Sequence, residues 1–333
     1  KNGSKPAALM VFSALCLLLA ACGGSEERQQ AYLDKANAHF EVGNFKKAQV
    51  DVRNVLQINE NNAEARYLFA LLHEREKNWQ QMFANLQLAI ESDPTLIGAR
   101  IKLGQMYYAN RRYEKTKEQA DAVLALEEKN PDGLTLKGSV YYREGQLDKA
   151  VEQAQLALAE SPGHVGAISI LSEIYKEQDP ERALAVIGDG IGKQSKDATL
   201  RLLKINVLEQ QGDLDGVVNE YKTLIANHPE NLFFHYRLVK FYEKHERIDE
   251  AEALLRDIVK AKPDNVDVKL WLAQFMASER DLSLGESTIK EFIKDQPELH
   301  ELRFALAKVY LALRQVPDAE KAYEEIIAMA EEG

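Results

Sequence analysis

The histidines are the residues of this chain that could hold a metal ion or act as a general base, so their spacing is the first indication of chemistry. The sequence contains His39, His73, His164, His228, His235, His245 and His300. A zinc hydrolase motif needs two histidines one helical turn apart with a glutamate beside the first, and no two of these residues form that motif. His39 and His73 lie 34 residues apart, which favours equivalent packing positions in a repeated structure over metal ligands.

Other motifs that carry chemistry lack the local structure that they need. Gly138-Ser139 could belong to a nucleophile elbow and the GDGIG segment at 188–192 to a phosphate loop, but both motifs require a strand, a sharp turn and a helix. Acidic pairs such as Glu324 with Glu325 fall on predicted exposed helix faces and indicate solvated charge. The sequence therefore predicts a protein that is not an enzyme, with no catalytic residue, no cofactor and no metal site.

The N-terminal segment has the layout of a secretory signal peptide. Lys1 and Lys5 are its only charges, and an apolar run of 15 residues follows at 7–21. That run is shorter than the ~20 helical residues that cross a hydrocarbon core. A basic start, a short apolar middle and small residues before a cleavage point are typical of an exported protein. We therefore predict that residues 1–21 are removed on export.

The segment LAAC at 19–22 resembles the lipobox of bacterial lipoproteins. The resemblance implies that the signal is cut before Cys22, that Cys22 then carries acyl chains, and that residues 22–28 form a flexible tether. Attachment by more than one acyl chain is stable. Because Gly23 rather than an aspartate follows the cysteine, the resemblance implies lipid anchoring on the periplasmic side of the outer membrane of a Gram-negative bacterium. The alternative is a cysteine buried beside an apolar helix.

Composition limits the partners of the mature chain. The 333-residue sequence has a formal net charge of −11, and loss of Lys1 and Lys5 with the signal would make it −13 because residues 1–21 hold no acid. Nucleic acids and anionic lipid head groups are bound by clustered Lys and Arg, so we predict no nucleic-acid partner. Basic peptides and neutral partners fit this charge. Cys16 lies in the removed segment, so the mature chain would fold without a disulfide.

A repeat of 34 residues runs through the rest of the chain. It is visible in FEVGNFKKAQ at 40–49 and YYREGQLDKAV at 141–151, where a turn is followed by an apolar residue and then a small one. Alignment gives nine repeats, of which the fifth is one residue shorter: 29–62, 63–96, 97–130, 131–164, 165–197, 198–231, 232–265, 266–299 and 300–333. Each repeat contains two apolar-periodic halves, which predict two helices with one buried face each.

Certain places within the repeat carry a constant residue type. Small residues recur at the eighth place, as Ala36, Ala70, Gly104, Gly138, Ser172, Ala273 and Ala307, and at the twentieth, as Ala48, Ala150, Ala183, Ala251, Gly285 and Ala319. Tyrosine recurs at the eleventh place and proline at the thirty-second. Small residues would let the two helices approach closely, and the prolines would end each repeat because they cannot continue a helix.

This pattern resembles the tetratricopeptide repeat over residues 29–333. The resemblance implies an all-α fold, namely a right-handed superhelical solenoid of about nine helix-turn-helix units. In such a solenoid each unit packs on its neighbours and leaves an extended concave surface. In that family the surface is formed by first-helix places two, five, nine, twelve and thirteen and binds other proteins. The chain is thus expected to be a non-catalytic scaffold for protein-protein interaction.

These places nominate a set of groove residues as candidates for protein binding. They are Asn37, Phe40, Tyr67, Arg75, Gln105, Tyr108, Tyr142, Arg143, Asn206, Tyr236, Lys240 and Phe304, and Leu33 occupies one of the same places. Recurring aromatic rings suit an extended peptide held by rigid anchors; the alternative is that the rings shield neighbouring helices. The Lys and Asn clamp with which some family members bind chaperone termini is not matched, since Tyr67 and Gln105 stand where parts of it would be.

The layout of a lipobox followed directly by many repeats is similar to that of lipoproteins from exopolysaccharide export and PEP-CTERM systems. This similarity implies a lipid-tethered scaffold that supports assembly of an export or secretion machine, with envelope proteins or extended peptide segments as partners. A pilotin-like assembly factor for an outer-membrane channel or a pilus is the first alternative. A carbohydrate-binding protein that uses Tyr142 and Glu173 is the second.

Two local features carry further expectations. The glycines within 188–192 weaken the second helix of the fifth repeat and predict a softer joint there. The last repeat offers Tyr323, Ile326, Ile327 and Met329 on the face that a following repeat would bury. We expect further chain, a partner or self-association to cover that face.

Overall fold

Helices dominate the described structure. The computed structural model describes residues 7–332, with side chains from residue 24 to residue 330. Within those limits the chain forms no strand and eighteen α-helices: α1 (Ala7–Glu41), α2 (Phe45–Ile58), α3 (Ala63–Arg75), α4 (Trp79–Ser92), α5 (Ile97–Ala109), α6 (Tyr113–Leu126), α7 (Pro131–Arg143), α8 (Leu147–Glu160), α9 (Val165–Gln178), α10 (Pro180–Lys193), α11 (Ala198–Gln211), α12 (Leu214–Asn227), α13 (Leu232–Lys244), α14 (Ile248–Ala261), α15 (Val266–Phe275), α16 (Leu282–Asp295), α17 (His300–Ala312) and α18 (Val316–Glu332). A short π-helical segment, Met276–Arg280, continues α15.

The chain divides into two compact blocks. The N-terminal block extends to Val207 and the C-terminal block begins at Leu208, so the boundary falls within α11. Inside each block consecutive helices contact one another as pairs: α3 with α4 and α7 with α8 in the first, α13 with α14 and α17 with α18 in the second. The predicted all-α fold of tandem helix pairs is confirmed, and the handedness of the superhelix stays a prediction.

The first helix of each pair begins at a repeated position. From the second pair onward these helices start at Ala63, Ile97, Pro131, Val165, Ala198, Leu232, Val266 and His300, the residues at which the sequence repeats begin. Asparagines fix several starts, since the Oδ1 atoms of Asn62, Asn130 and Asn265 accept hydrogen bonds at 2.7, 3.0 and 3.1 Å from backbone amides three residues on. Such a cap stabilises a helix by about 1 kcal/mol.

The small residues of the repeat lie where helices approach closely. All of those at the eighth and twentieth places are buried, and the alanines among them are at most 1% exposed. A Cβ added at Gly104 would lie 2.9 Å from a methyl carbon of Leu136, well inside the ~3.5–4.0 Å at which carbon atoms pack best. Small size at these places is therefore a packing requirement.

The turn inside most pairs holds one residue in the left-handed backbone region. Glycine suits this conformation, and φ is 77° at Gly43 and 75° at Gly145 and Gly212. The same place is filled by residues that carry a Cβ, at φ between 56° and 60°: Lys77, Arg111, Glu246 and Arg314. A residue with a Cβ costs about 1–2 kcal/mol in this region, so these four turns are strained relative to the glycine turns.

The fifth pair differs from the others in its turn and in its second helix. Asp179 both ends α9 and caps α10, where its Oδ1 accepts a backbone hydrogen bond at 3.1 Å, and this shared role accounts for the missing residue. Helix α10 runs unbroken through the glycines of 188–192. Of those glycines only Gly190 is buried.

Helix α1 begins before the first repeat. It extends from Ala7 to Glu41, so residues 22–28, predicted as a flexible tether, are helical. They contain no proline, and Nε of Arg28 donates to the carbonyl of Gly24 at 2.9 Å along one helix face. The chain start and the side chain of Cys22, with its predicted lipid, lie outside the described residues. No helix in the described part of the chain combines the length and the apolar character needed to cross a membrane.

Candidate protein-binding surface

The first helices of the N-terminal block lie side by side. Helix α5 contacts α7, and α7 contacts α9, although a second helix separates each of them in sequence. Side chains at places two, five, nine, twelve and thirteen of α3, α5, α7 and α9 are half-buried or exposed. We call this surface of the four helices the first-helix wall, and it contains six of the predicted groove residues: Tyr67, Arg75, Gln105, Tyr108, Tyr142 and Arg143.

Tyr67 is placed by a glycine of the next repeat. A Cβ at Gly98 would lie 2.9 Å from Cζ of Tyr67, so the phenol of α3 rests against the backbone of α5. The pKa of Tyr67 is raised, first by burial and then by the negative charges of Glu74 and Asp132. The ring therefore stands in a negatively charged part of the wall.

Arg143 joins two tyrosines of adjacent helices. Its Nε donates to Oη of Tyr108 at 3.1 Å, and its guanidinium carbon lies 5.9 Å from the ring centroids of both Tyr108 and Tyr142. The hydrogen bond to Tyr108 is the foremost cause that raises the pKa of Arg143. These contacts order both rings without a partner, which lowers the entropy lost when a ligand binds.

A pocket of about 460 Å³ opens in the wall at α5, α7 and α9. Two predicted groove residues, Gln105 and Tyr108, line it. The rest of its lining consists of Asp132, Thr135, Leu136, Ser139, Ser161, His164, Val165, Gly166 and Gln194. The wall is thus a shaped surface, with a polar cavity beside the aromatic rings.

His164 organises the polar side of this pocket. Its Nδ1 accepts a hydrogen bond from the backbone amide of Ala167 at 3.3 Å, which caps α9, and lies 3.3 Å from Oγ1 of Thr135. Because Nδ1 is the acceptor, Nε2 carries the proton and donates it to Oδ1 of Asp132 at 3.2 Å. These bonds fix the carboxylate of Asp132 at the pocket wall.

The sequence prediction missed this polar group although a signal for it was present. Asp132, Thr135 and Ser139 occupy the second, fifth and ninth places of the fourth repeat, the same places that nominated the predicted residues. From the fourth repeat only Tyr142 and Arg143 were chosen as candidates. His164 stands directly before a helix, where a side-chain acceptor is favoured.

Two cations at or beside the wall are paired with carboxylates. Nζ of Lys102 lies 2.8 Å from Oε1 of Glu74, and Nζ of Lys176 lies 2.6 Å from Oε2 of Glu173. The hydrogen bond to Glu173 is the foremost cause that raises the pKa of Lys176. Partly exposed pairs of this kind stabilise the fold by less than about 1 kcal/mol, but they neutralise charge locally.

Four further predicted residues, which belong to α1, α3 and α11, also lie outside the pocket. Asn37 on α1 and Asn206 on α11 are exposed. The ring of Phe40 meets the ring of Phe45 edge-on, with centroids 5.5 Å apart. The guanidinium of Arg75 lies 3.7 Å from the centroid of the same Phe45 ring. Phe40 and Arg75 therefore cover the start of α2. This agrees with the alternative prediction, in which the aromatic rings shield neighbouring helices.

The assignment of Leu33 to the groove was wrong. This side chain is 2% exposed and belongs to the hydrophobic core of the first pair, together with Ala48 and Val52 of α2. An aliphatic residue at place five gains free energy by turning toward the second helix, because burial removes its apolar surface from water.

The C-terminal block presents an aromatic group of its own. Tyr236 is 47% exposed, its ring lies 5.6 Å from that of Trp271, and Nζ of Lys240 is 5.9 Å from its centroid. Phe304 is 45% exposed and lines a pocket of about 570 Å³ with Lys308. The predicted residues of this block therefore fall into two separate places on its first helices.

The histidine at the eleventh place of the second repeat serves packing. His73 is buried, and its ring lies 4.5 Å from the ring of Phe69 between centroids. Among the side chains that the structure describes, no three His, Cys, Asp or Glu residues converge as metal ligands would.

Comparison with known sequences places two segments in a repeat family. Residues 101–165 and 208–275 match the family described as tetratricopeptide repeat. The human protein sperm-associated antigen 1 is 28% identical over 103 residues, which span 30% of this chain and 11% of that protein. The chain therefore corresponds to about a tenth of that relative's length.

Solved structures share the fold at low sequence identity. PilF of Pseudomonas aeruginosa matches with a TM-score of 0.50 at 19% identity, over 65% of this chain and 99% of that one. PilW, a widely conserved type IV pilus biogenesis factor, matches with a TM-score of 0.52 at 16% identity, over 63% of this chain and 98% of that one. A human IFIT1 dimer with PPP-AAAA matches with a TM-score of 0.56 at 15% identity, over 91% of this chain and 73% of that one. The repeat pattern, the helix pairs and these matches agree, and the chain contains tetratricopeptide repeats.

Proposed function

We propose that this chain is a non-catalytic scaffold whose first-helix wall binds extended segments of bacterial envelope proteins. A tetratricopeptide fold is a framework for protein-protein interaction, and the wall supplies the groups that such binding needs. The observation that carries the proposal is the row of half-buried rings of Tyr67, Tyr108 and Tyr142, ordered by neighbouring residues and still accessible. Rigid aromatic anchors of this kind dominate the affinity of peptide interfaces.

The proposal includes a lipid anchor at Cys22 that holds the scaffold on the periplasmic side of the outer membrane. It is supported by the LAAC box and by the apolar run that precedes it. Expression in a Gram-negative host followed by detergent phase partition tests it. The wild-type chain should enter the detergent phase and Cys22→Ser should not, with Cys16→Ser as the control. A Cys22→Ser chain that still partitions into detergent would refute the anchor.

Within the envelope, the proposed role is to support assembly of an exopolysaccharide export or secretion machine. The support for it is the layout of lipobox and repeats. A pilotin-like role is the second candidate, favoured by the likeness to PilF and PilW, each of which is matched almost completely by about two thirds of this chain. The remaining third gives this chain additional binding surface, which suits a scaffold with more than one partner.

A carbohydrate-binding role has weaker support. Its candidate carboxylate, Glu173, is paired through Oε2 with Lys176 at 2.6 Å, which takes up part of its capacity to accept hydrogen bonds from sugar hydroxyl groups.

Capture of partners from envelope extracts tests the wall directly. The variant Tyr67→Ala, Tyr108→Ala, Tyr142→Ala should lose the partners that the wild-type chain retains. Its matched control is Val50→Ala, Leu126→Ala, Leu156→Ala, which truncates exposed apolar side chains on second helices. Helicity measured by circular dichroism should stay unchanged in both. Full capture by the tyrosine variant would overturn the proposal that the wall is the binding surface.

A further inference from the structure

The pocket of the first-helix wall has an unusual balance of charge. Its described lining contains one carboxylate, that of Asp132, and neither a lysine nor an arginine. The Nδ1 atom of His164 accepts the amide hydrogen bond of Ala167, and Nε2 lies on the opposite side of the ring, 3.2 Å from Oδ1 of Asp132. This contact positions the carboxylate of Asp132 at the pocket wall.

Three cations on the first helices α5, α7 and α9 are engaged in other contacts. Lys102 and Lys176 are paired with Glu74 and Glu173, and Arg143 is bound to the hydroxyl group of Tyr108. The effect of Asp132 reaches beyond its own side chain, since its charge contributes to the raised pKa of Tyr67. The carboxylate of Asp132 is therefore the acidic group that the described lining offers to a cationic ligand.

The other polar groups of the lining are suited to accept hydrogen bonds. Thr135 and Ser139 supply hydroxyl oxygens and Gln105 an amide oxygen, while Leu136 and the ring of Tyr108 supply apolar surface. A guanidinium or ammonium group has only donors, and its aliphatic stem packs on apolar surface. A volume of about 460 Å³ falls within the range of ligand pockets, about 300–1,000 Å³.

We propose that this pocket is the anchor site for one arginine or lysine side chain of the bound protein segment, with Asp132 as the residue that selects positive charge. The inference rests on the scaffold function proposed above and names the chemistry of the partner at one position. Arginine fits better than lysine, because its planar donors match a carboxylate together with neighbouring oxygens. A segment anchored there would run past Tyr108 along the wall.

Methyl NMR of the purified full chain in detergent tests this selectivity with small probes. N-acetyl-arginine amide carries the side chain of interest, and N-acetyl-citrulline amide has the same shape without the charge. Leu136 and Val165 line the pocket and report on it, whereas Leu270 and Val309 line the pocket of the C-terminal block and serve as reference methyl groups. The arginine probe should shift the first two signals at millimolar concentration and leave the reference signals in place.

Substitution of the carboxylate supplies the decisive comparison. Asp132→Asn keeps an oxygen that can accept the hydrogen bond of His164 and should weaken the arginine probe about tenfold, as loss of a charged hydrogen-bond partner does. Asp121→Asn, at a carboxylate that pairs with Lys137 outside the pocket, should leave binding unchanged. The inference is overturned if the arginine and citrulline probes give equal shifts, or if Asp132→Asn binds the arginine probe as well as the wild-type chain does. It is also overturned if the arginine probe does not shift Leu136 and Val165, or if glucose shifts these signals instead.

The outcome is separable from that of the scaffold proposal. If the tyrosine variant loses its envelope partners while the arginine probe leaves the pocket signals unmoved, the scaffold function stands and the anchor site falls. If the probe binds through Asp132 while the tyrosine variant captures partners normally, the charge selectivity stands and the wall is not the partner surface.

Discussion

Alanine at Gly190 and alanine at Gly188 should have opposite effects on the fifth helix pair. Both glycines lie inside α10, so the gain in helix propensity is the same, about 0.5–1 kcal/mol. A Cβ at Gly188 would meet no atom within 4 Å. A Cβ at Gly190 would lie 2.4 Å from Cδ1 of Ile168 and 3.2 Å from Cδ1 of Leu200. The first site is open and the second is closed by packing.

The neighbours of Gly190 have little room to adjust. Ile168 is 1% exposed and Leu200 is 0% exposed, and both belong to the same hydrophobic core. Overpacking of a core costs about 1–3 kcal/mol, which is larger than the gain in helix propensity. We expect Gly190→Ala to lower the free energy of unfolding by about 1–2 kcal/mol and Gly188→Ala to raise it by about 0.5–1 kcal/mol.

Two measurements check this pair of variants. Urea unfolding followed by circular dichroism gives the shift in midpoint, and Gly188→Ala serves as the matched control. A repeat array can unfold in parts, so amide hydrogen exchange within α9 and α10 should give the local free energy of opening. Shifts of the same sign for both variants would refute close packing at Gly190 and support the softer joint that the sequence predicted.

The left-handed turns and one histidine give the remaining predictions. Lys77→Gly should raise the free energy of unfolding by about 0.5–1 kcal/mol, because φ of Lys77 is 57° and glycine removes most of the steric cost of this left-handed conformation. Gly145→Ala should lower the free energy of unfolding for the same reason. If the urea midpoints of both variants move in the same direction, the steric explanation of these turns is contradicted. Burial is the foremost cause that lowers the pKa of His235, and the charge of Lys262 lowers it further. As the pH falls below the ordinary histidine pKa of about 6.5, the unfolded chain therefore binds a proton at His235 before the folded chain does. Stability should therefore fall as the pH drops below that value, and His235→Gln should lose less between about pH 7 and pH 5 in the same assay; an equal loss would show that His235 is not responsible.

The repeat period made most of the fold predictable, and its exceptions have local causes. From the second repeat onward the helix starts follow from the same place in each repeat, as at Pro131. The π-helical segment Met276–Arg280 was not predicted, because it depends on the eighth pair alone. In this pair the first helix continues through the residues that form the turn in other pairs, until Asp281 caps α16. Gly285 lies so close to Ala277 that a Cβ added to Gly285 would be 2.5 Å from the Cβ of Ala277. No periodic signal carries such a contact.

The two faces of one helix explain why the pocket was harder to predict than the fold. Gly138 and Ser139 are adjacent in sequence but lie about 100° apart around the axis of α7. Gly138 faces Gln153 of α8, where an added Cβ would lie 3.2 Å from the Cβ of that glutamine, whereas Ser139 lines the pocket. Close packing restricts the place of Gly138 to small residues in nearly every repeat, so repetition makes it visible in the sequence.

A place on the wall is free of that restriction and can differ from one repeat to the next. Asp132 is the only acid at the second place among the repeats from α5 to α9, and it becomes part of a site because stacking brings it to 3.2 Å from His164, a residue 32 positions away. A search for what the repeats share finds the residues that hold them together. The residues that give this chain its own partner are instead to be sought at the wall places where the repeats disagree.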